Sequence, residues 1–429
     1  MKKRLLKNQL VRTLVEIRGN TRASVYTEPL WGLSMNLCFP YASVYMLALG
    51  MTDVEVGIVT SIYMFSQMIF AFLSGVIIDK LGRRKSTAIF DLIAWSIPCV
   101  IWASSQGFWF FVVAAILNGT MRVTNVSWNC LLVEDAPKDK ITQIYSLVVV
   151  CANLSALFAP ISSVLVSKLT LVPAIRILYI NAFIIMTLKV LILYKFSTET
   201  SVGKIRREEA RNKSWIEMLS GYKNALHKMF TSPGTIFAII ISILVEIFAM
   251  IGVTFWQIIV SRRIGVPDTL LPVFPMFKSI MAIILLFTVV SQVKQADLKW
   301  SLYGGFLSSI ISCILLILIT NTGFWGYLLL IISLIFEALG LSVLNMLRES
   351  LVAIHVDPEE RSGIMGLLQT AVMMVSVPFG YISGLLSDIS RILPFVLSIA
   401  LLLLGILATA VFYRVFYKTE PLRRCADIK

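Results

Sequence analysis

The sequence predicts an all-α, polytopic membrane protein of two six-helix bundles. Three observations point there: an apolar composition, apolar runs of bilayer length, and a one-sided distribution of positive charge. Hydrophobic residues make up 58% of the 429 and charged residues 14%, whereas soluble domains carry about 25% charged. One bilayer crossing requires roughly 20 apolar residues, so the chain reads as a string of spans rather than a set of soluble domains.

Apolar runs broken by charge or turn residues number twelve, with approximate ends. The first six cover 30–49, 56–78, 86–104, 108–133, 141–166 and 174–196. The turn sequence "LGMTD" follows the first, "SGVIIDKLGRRKS" closes the second, and "LLVEDAPKDK" closes the fourth. The second six cover 235–260, 271–293, 300–320, 324–347, 364–386 and 392–417. Here "IGVPD" follows the seventh, "VKQADLKWS" joins the eighth to the ninth, and "DPEERSG" follows the tenth. Between the sets lies 197–234, rich in Lys, Arg and Glu, which reads as a linker. The expected organisation is therefore a bundle over 1–196, a linker over 197–234 and a bundle with a tail over 235–429.

The net charge of +14 would suit nucleic acid were it spread evenly, but it is not. Assigned to alternating sides, 30 Lys and Arg fall on the side of the N-terminus and 5 on the other, with Arg122, Lys189 and Lys278 inside spans. That is the positive-inside bias, which places both termini and the linker in the cytoplasm of a cell-membrane protein. The basic balance reflects topology, with anionic lipid headgroups as expected neighbours and no nucleic acid. A basic segment of about 25 residues precedes the first span without a cleavage pattern, so that span is the expected insertion signal.

Reactive chemistry is sparse. The cysteines, Cys38, Cys99, Cys130, Cys151, Cys313 and Cys425, form no CxxC, and disulfides are not expected. The histidines, His227 and His355, have no metal-ligand spacing around them. No nucleophile with its base and no phosphate-binding loop is legible, so neither an enzyme nor a cofactor is expected.

The two halves echo one another. Pro137 and Pro358 match at a separation of 221, as do "ISSVL" from Ile161 and "ISGLL" from Ile382, and "LGMTD" recurs as "IGVPD" at a separation of 215. Together they favour duplication.

The loop after the second span reads Gly75-x-x-x-Asp79-Lys80-x-Gly82-Arg83-Arg84. At every defined position this resembles the signature of the major facilitator superfamily, and twelve spans in two halves extend the resemblance over nearly the whole chain. The resemblance implies a fold of two pseudo-symmetric bundles, a monomer, and a cytoplasmic gate in which Asp79 contacts the start of the eleventh helix near Arg361, Ser362 and Gly363. Gly75 would allow close helix approach, Gly82 a tight turn, and Asp79 is expected near a helix N-terminus, where negative charge is favoured. The matching loop of the second half keeps Asp297 and Lys299 but lacks the glycines and the arginine pair.

An ionisable side chain inside the membrane costs at least about 2.5 to 3.5 kcal/mol and marks a candidate site. The family's architecture puts spans one, four, seven and ten around a central cavity. Span four holds Arg122, Asn125 and Asn129 along one helical face; span seven holds Glu246, Trp256 and Gln257; span ten holds Glu337 and Asn345; span one adds Asn36, with Glu28 nearer the cytoplasm. An Arg122 ion pair with Glu246 or Glu337 is an expected link between halves. Lys278 and Lys189 are expected to snorkel to the two membrane faces, and Arg348 and Glu349 to join Asp357 and Glu359 in the gate. Trp102, Trp109 and Trp325 fit an interfacial belt, while Trp128 and Trp256 are candidates for substrate contact.

In span five, "SALFAPISS" offers Ser155, Ala159, Pro160 and Ser163, a partial resemblance to the motif of proton-driven exporters. The expected function is secondary active transport of a small solute by alternating access, coupled to protons, with efflux of drugs or metabolites ranked ahead of sugar or organic-ion uptake. A receptor or scaffold without transport is the remaining class.

Overall fold

A computed structural model describes residues 9–137, 140–220, 232–288, 298–355 and 361–415; the side chains of 9–11, 216, 219–220, 286–287, 349, 352–355 and 361–365 lie outside that description. Among the described residues every regular element is a helix or a helical turn, and eleven helical stretches are long and apolar enough to cross a membrane. The protein is therefore an all-helical, multi-pass membrane protein. Its faces carry exposed apolar side chains such as Ile184, Leu188 and Leu191, which suit lipid contact.

The chain divides into two compact units, Met1–Met51 with Val59–Tyr222 and Pro267–Ser279, and Thr52–Ile58 with Lys223–Val266 and Ile280–Lys429. In the first unit, α1 (Gln9–Glu16) leads into α2 (Gly19–Cys38), which passes through a 3₁₀ turn at Phe39–Tyr41 into α3 (Ala42–Ala48). The first span thus starts about three turns earlier than the apolar run beginning at Leu30. Polar residues on α2 hid it: Asn20, Thr21 and Ser24 are buried against protein and do not read as lipid-facing.

Then follow α4 (Asp53–Leu81), α5 (Arg83–Asp91), a π-helical turn (Leu92–Ser96) and α6 (Ile97–Ala103). After these come α7 (Phe108–Gly119), α8 (Met121–Val133), α9 (Ile141–Ala156), α10 (Ile161–Leu169) and α11 (Leu171–Phe196). Helix α2 packs against α8, α9 and α11, and α5 against α8. At one end of these helices a core forms from Ile17, Val25, Leu132, Ile144 and Leu147. The first part of the expected linker is itself helical, as α12 (Ser201–Arg211) and α13 (Trp215–Ser220). Thr200 caps α12 by accepting from the Gly203 N–H.

In the second unit lie α14 (Pro233–Thr254), α15 (Trp256–Ile258) and a π-helical turn at Ile259–Ile264. Helix α16 (Val273–Thr288) follows, divided between the two units, then α17 (Leu298–Leu318), α18 (Phe324–His355), α19 (Arg361–Ile389) and α20 (Leu393–Val415). Small residues let α17 and α18 approach closely: Ser308 donates to the Phe336 carbonyl at 2.8 Å, and a Cβ on Gly340 would meet Ser309 Oγ. Helices α14 and α20 are held by Phe237 stacked on Phe412, with centroids 4.1 Å apart.

The "LGMTD" and "IGVPD" turns share more than sequence. Gly50 and Gly265 both adopt φ +86°, a conformation that glycine reaches without steric cost, and Asp53 and Asp268 each begin the next helical element.

Candidate functional site

The motif loop is held by a dense polar network within the first unit. Gly82 interrupts two helices with φ +88°, allowing Arg83 to restart the chain as α5. Arg83 is 6% exposed. Its guanidinium meets Asp79 Oδ1 at 2.8 Å and Glu134 Oε1 at 3.3 Å. The N–H groups of Arg83 and Arg84 donate to the two carboxylate oxygens of Glu199 at 2.8 and 3.3 Å.

Asp79 therefore lies in the last turn of α4, and the anion at the N-terminus of α5 is Glu199. The free N–H groups that begin a helix favour a carboxylate there, and the chain supplies it from the segment after α11. Arg84 lies over the Tyr194 ring, 3.9 Å from its centroid, and donates to the Tyr194 carbonyl at 2.6 Å. Lys80 donates to the Lys213 carbonyl at 2.7 Å, and Glu134 is hydrogen-bonded by Thr200. Gly75 sits half-buried in α4. Sequence reasoning missed Glu134 and Glu199, whose role depends on contacts between segments far apart in the chain. The expected partners Arg361, Ser362 and Gly363 lie outside the described side chains, as do Asp297, Asp357, Glu359 and Glu349.

In span four, Arg122 donates from Nε to Gln67 Oε1 at 2.7 Å. Asn125 and Asn129 are exposed, and Asn129 accepts from the Tyr145 hydroxyl. Asn36 turns back to its own helix, donating to the Gly32 carbonyl at 2.7 Å. The Trp128 indole N–H is buried and meets no acceptor among the described residues.

In the second unit, Glu246 on α14 faces Arg348 on α18 at 3.2 Å, with side chains 23% and 25% exposed. Arg348, expected in the gate, is thus the partner of the carboxylate in span seven. Glu337, 5% exposed, lies on the same α14 to α18 seam, where a Cβ on Gly252 would come within 3.5 Å of its Oε1. Eleven residues separate Glu337 from Arg348, which puts them on one face of α18, roughly 16 Å apart. Trp256 and Gln257 are buried in α15, while Asn345 is exposed.

Lys189 does not snorkel. It is 3% exposed and ion-paired with Asp91, which is 1% exposed. Asp91 was overlooked because it lies within the apolar run 86–104, where one charge does not break the pattern. Trp109 and Trp325 are 75% and 72% exposed, whereas Trp102 packs on Tyr179. The cysteines Cys38, Cys99, Cys130, Cys151 and Cys313 are free thiols, and Cys425 and His227 lie outside the described residues.

An open cavity of about 580 Å³ in the second unit is lined by Asp53, Arg262, Arg263, Ser387, Asp388 and Arg391, among others. None of these stood out as a candidate in the sequence. Asp53 accepts from Ser387 Oγ at 2.6 Å and from Arg391 Nε at 3.2 Å. The arginines there are engaged in turn: Arg263 donates to the Ile319 carbonyl at 3.1 Å and Arg391 to that of Arg262 at 3.3 Å.

A profile of the Major Facilitator Superfamily matches residues 30–373. The chain belongs to that superfamily. That superfamily is one of transporters rather than enzymes.

Solved superfamily structures share its fold. A mutant of the nucleoside transporter NupG aligns with a TM-score of 0.71 at 16% identity, covering 91% of this chain and 100% of that one. A POT family transporter in complex with 5-aminolevulinic acid aligns with a TM-score of 0.69 at 14% identity, covering 95% and 99%. The quinolone resistance protein NorA of Staphylococcus aureus is 29% identical over 87 residues. That match spans 20% of this chain and 22% of NorA.

Proposed function

We propose that this transporter is proton-coupled and exports a drug-like or metabolite solute by alternating access, with both termini and the segment 197–234 in the cytoplasm. Two bundles, 1–196 and 235–429, would alternate about a cavity including Asn36, Arg122, Asn125, Asn129, Glu246, Trp256, Gln257, Glu337 and Asn345. The loop of Gly75, Asp79, Lys80, Gly82, Arg83 and Arg84 would serve as the cytoplasmic gate.

The observation that carries the reading is the Glu246–Arg348 pair, a quarter exposed, on the same helix seam as the buried Glu337. A carboxylate that trades an arginine for a proton, in a place water reaches, can link proton binding to conformation. The short likeness to a quinolone resistance protein supports export over uptake. Purified protein is first screened by thermal shift against quinolones, nucleosides and peptides. Flux of the stabilising solute is then measured in liposomes under imposed pH gradients. Export predicts accumulation driven by counterflowing protons; accumulation along the proton flux would establish uptake, and indifference to the gradient would reject coupling.

A further inference from the structure

The open cavity of about 580 Å³ in the second unit falls in the size range of small-molecule sites, and none of the residues assigned to the transport cavity lines it. Its floor is polar and buried. Asp53, 5% exposed, accepts a hydrogen bond of 2.6 Å from Ser387, 3% exposed. Arg391 grips both oxygens of Asp53, from Nε at 3.2 Å and from Nη2 at 3.4 Å, so these two charges answer one another.

Two further guanidiniums line the same cavity, those of Arg262 and Arg263, with Asp388 as the second carboxylate. Arg263 is half-buried and donates to the carbonyls of Ile319 at 3.1 Å and Ile317 at 3.3 Å. Among the described residues it forms no ion pair. A carbonyl accepts a hydrogen bond but cancels no charge, and these two bonds use two of the five N–H donors that a guanidinium carries. Three arginines against Asp53 and Asp388, three minus two, leave the lining one positive charge in excess.

Topology does not account for that excess. Assigned by alternation, 5 Lys and Arg fall on the side away from the N-terminus, and Arg262, Arg263 and Arg391 are three of them, converging on one cavity. Placing cations there runs against the positive-inside bias, so their convergence needs a local reason.

We propose that this cavity is a binding site for a small oxyanion, a carboxylate or phosphate group, held by Arg262 and Arg263. The planar guanidinium fork matches both groups. Arg391, closed on Asp53, fixes the floor as a positioning residue, and the exposed Asp388 weakens the attraction without cancelling it. Arg262 lies 16 residues beyond Glu246, roughly 24 Å along a helix. The site is therefore distinct from the carboxylates proposed for coupling and rests on neither coupling nor export.

The test is isothermal titration calorimetry of the full-length protein in detergent with glutarate, glycerol 3-phosphate and inorganic phosphate, and with neutral glycerol as comparator. The wild type is expected to bind at least one of the anions saturably, and glycerol not at all. Arg263→Gln should weaken that binding at least about tenfold, the loss of one charge-assisted hydrogen bond, and Arg263→Lys should recover part of it. Because Arg263 also ties two carbonyls, Arg262→Gln, at an exposed position, keeps the test open should the first variant misfold, and it too should weaken binding. The Glu246→Gln/Glu337→Gln double variant should bind as the wild type does, even where gradient-driven flux is lost. Titration in nanodiscs separates two sources of the oxyanion: weaker binding in phosphatidylglycerol than in phosphatidylcholine assigns it to a lipid headgroup, and equal binding assigns it to a solute. No saturable binding by the wild type, wild-type affinity in both Gln variants of the arginines, equal binding of glycerol, or loss of binding in the double variant would overturn the proposal.

Discussion

Each unit of the chain contains an ion pair between spans, and the two are nearly the same chemistry in different solvents. Lys189–Asp91 is sealed, at 3% and 1% exposure, whereas Arg348–Glu246 is wet, at 25% and 23%. Out of water, the pair's mutual attraction offsets a desolvation cost that neither charge could bear alone, so breaking it strands a charge. Where water reaches both partners, it replaces whichever one leaves, and the pair opens at small cost. The sealed pair suits holding helices in place. The wet pair suits exchange of partners during a cycle.

The sharpest way to break the comparison is to remove one partner of the sealed pair. Asp91→Ala should cost about 3 to 5 kcal/mol, because it strands the buried Lys189 ammonium. Pairing it with Lys189→Met should recover most of the loss. Unfolding in detergent reads both, and a single variant as stable as the wild type would show that the pair is not sealed.

Shape rather than charge is on trial at Gly82. Its backbone lies at φ +88° and ψ +160°, and an added Cβ would come within 2.9 Å of the Glu199 carboxyl carbon. Gly82→Ala should therefore cost about 1 to 3 kcal/mol without touching either ion pair. If it melts with the wild type, the loop does not depend on that turn.

The wet pair should be the weaker element. Glu246→Gln is expected to cost less than about 1 kcal/mol in the same unfolding assay. A loss equal to that of Asp91→Ala would erase the distinction between the units.

Smallest is an exposed cluster at the chain's start. Glu16 accepts from Arg12 at 2.7 Å and from Lys140 at 2.6 Å. Hydrogen bonds from these two cations hold its carboxyl down from 4.5 to about 2. A lowered carboxyl contributes stability above its unfolded value and loses it as pH falls toward the folded one. Glu16→Gln should flatten the acid dependence of unfolding slightly between pH 4.5 and about 2, and no change in that window would show the cluster to be inert.

Much of the fold was legible because lipid enforces period and length: a span must be apolar for about 20 residues, whatever it packs against. The first span shows where that rule fails, since Asn20, Thr21 and Ser24 face protein and blur the edge. The motif loop was legible from Gly75, Asp79, Lys80, Gly82, Arg83 and Arg84, while its anchors Glu134 and Glu199 were not. They are 52 and 117 residues from Gly82 along the chain, and nothing local announces a contact that the tertiary fold creates. The candidate site divided the same way. Glu246, Glu337 and Arg122 stood out as charges in apolar runs, yet the partners Arg348 and Gln67 depend on which helix faces which. Lys189 was misread because a long side chain near a span end has two solutions, reaching water or finding a buried acid, and sequence spacing does not separate them.

Gradient-driven transport by glutamine variants of the second unit tests the central claim most directly. Wild type, Glu246→Gln, Glu337→Gln and the double variant are reconstituted, and accumulation under an imposed pH gradient is compared with solute exchange at equilibrium. Loss of accumulation with exchange preserved is the predicted result at the coupling carboxyl; full gradient-driven accumulation in the double variant would contradict it.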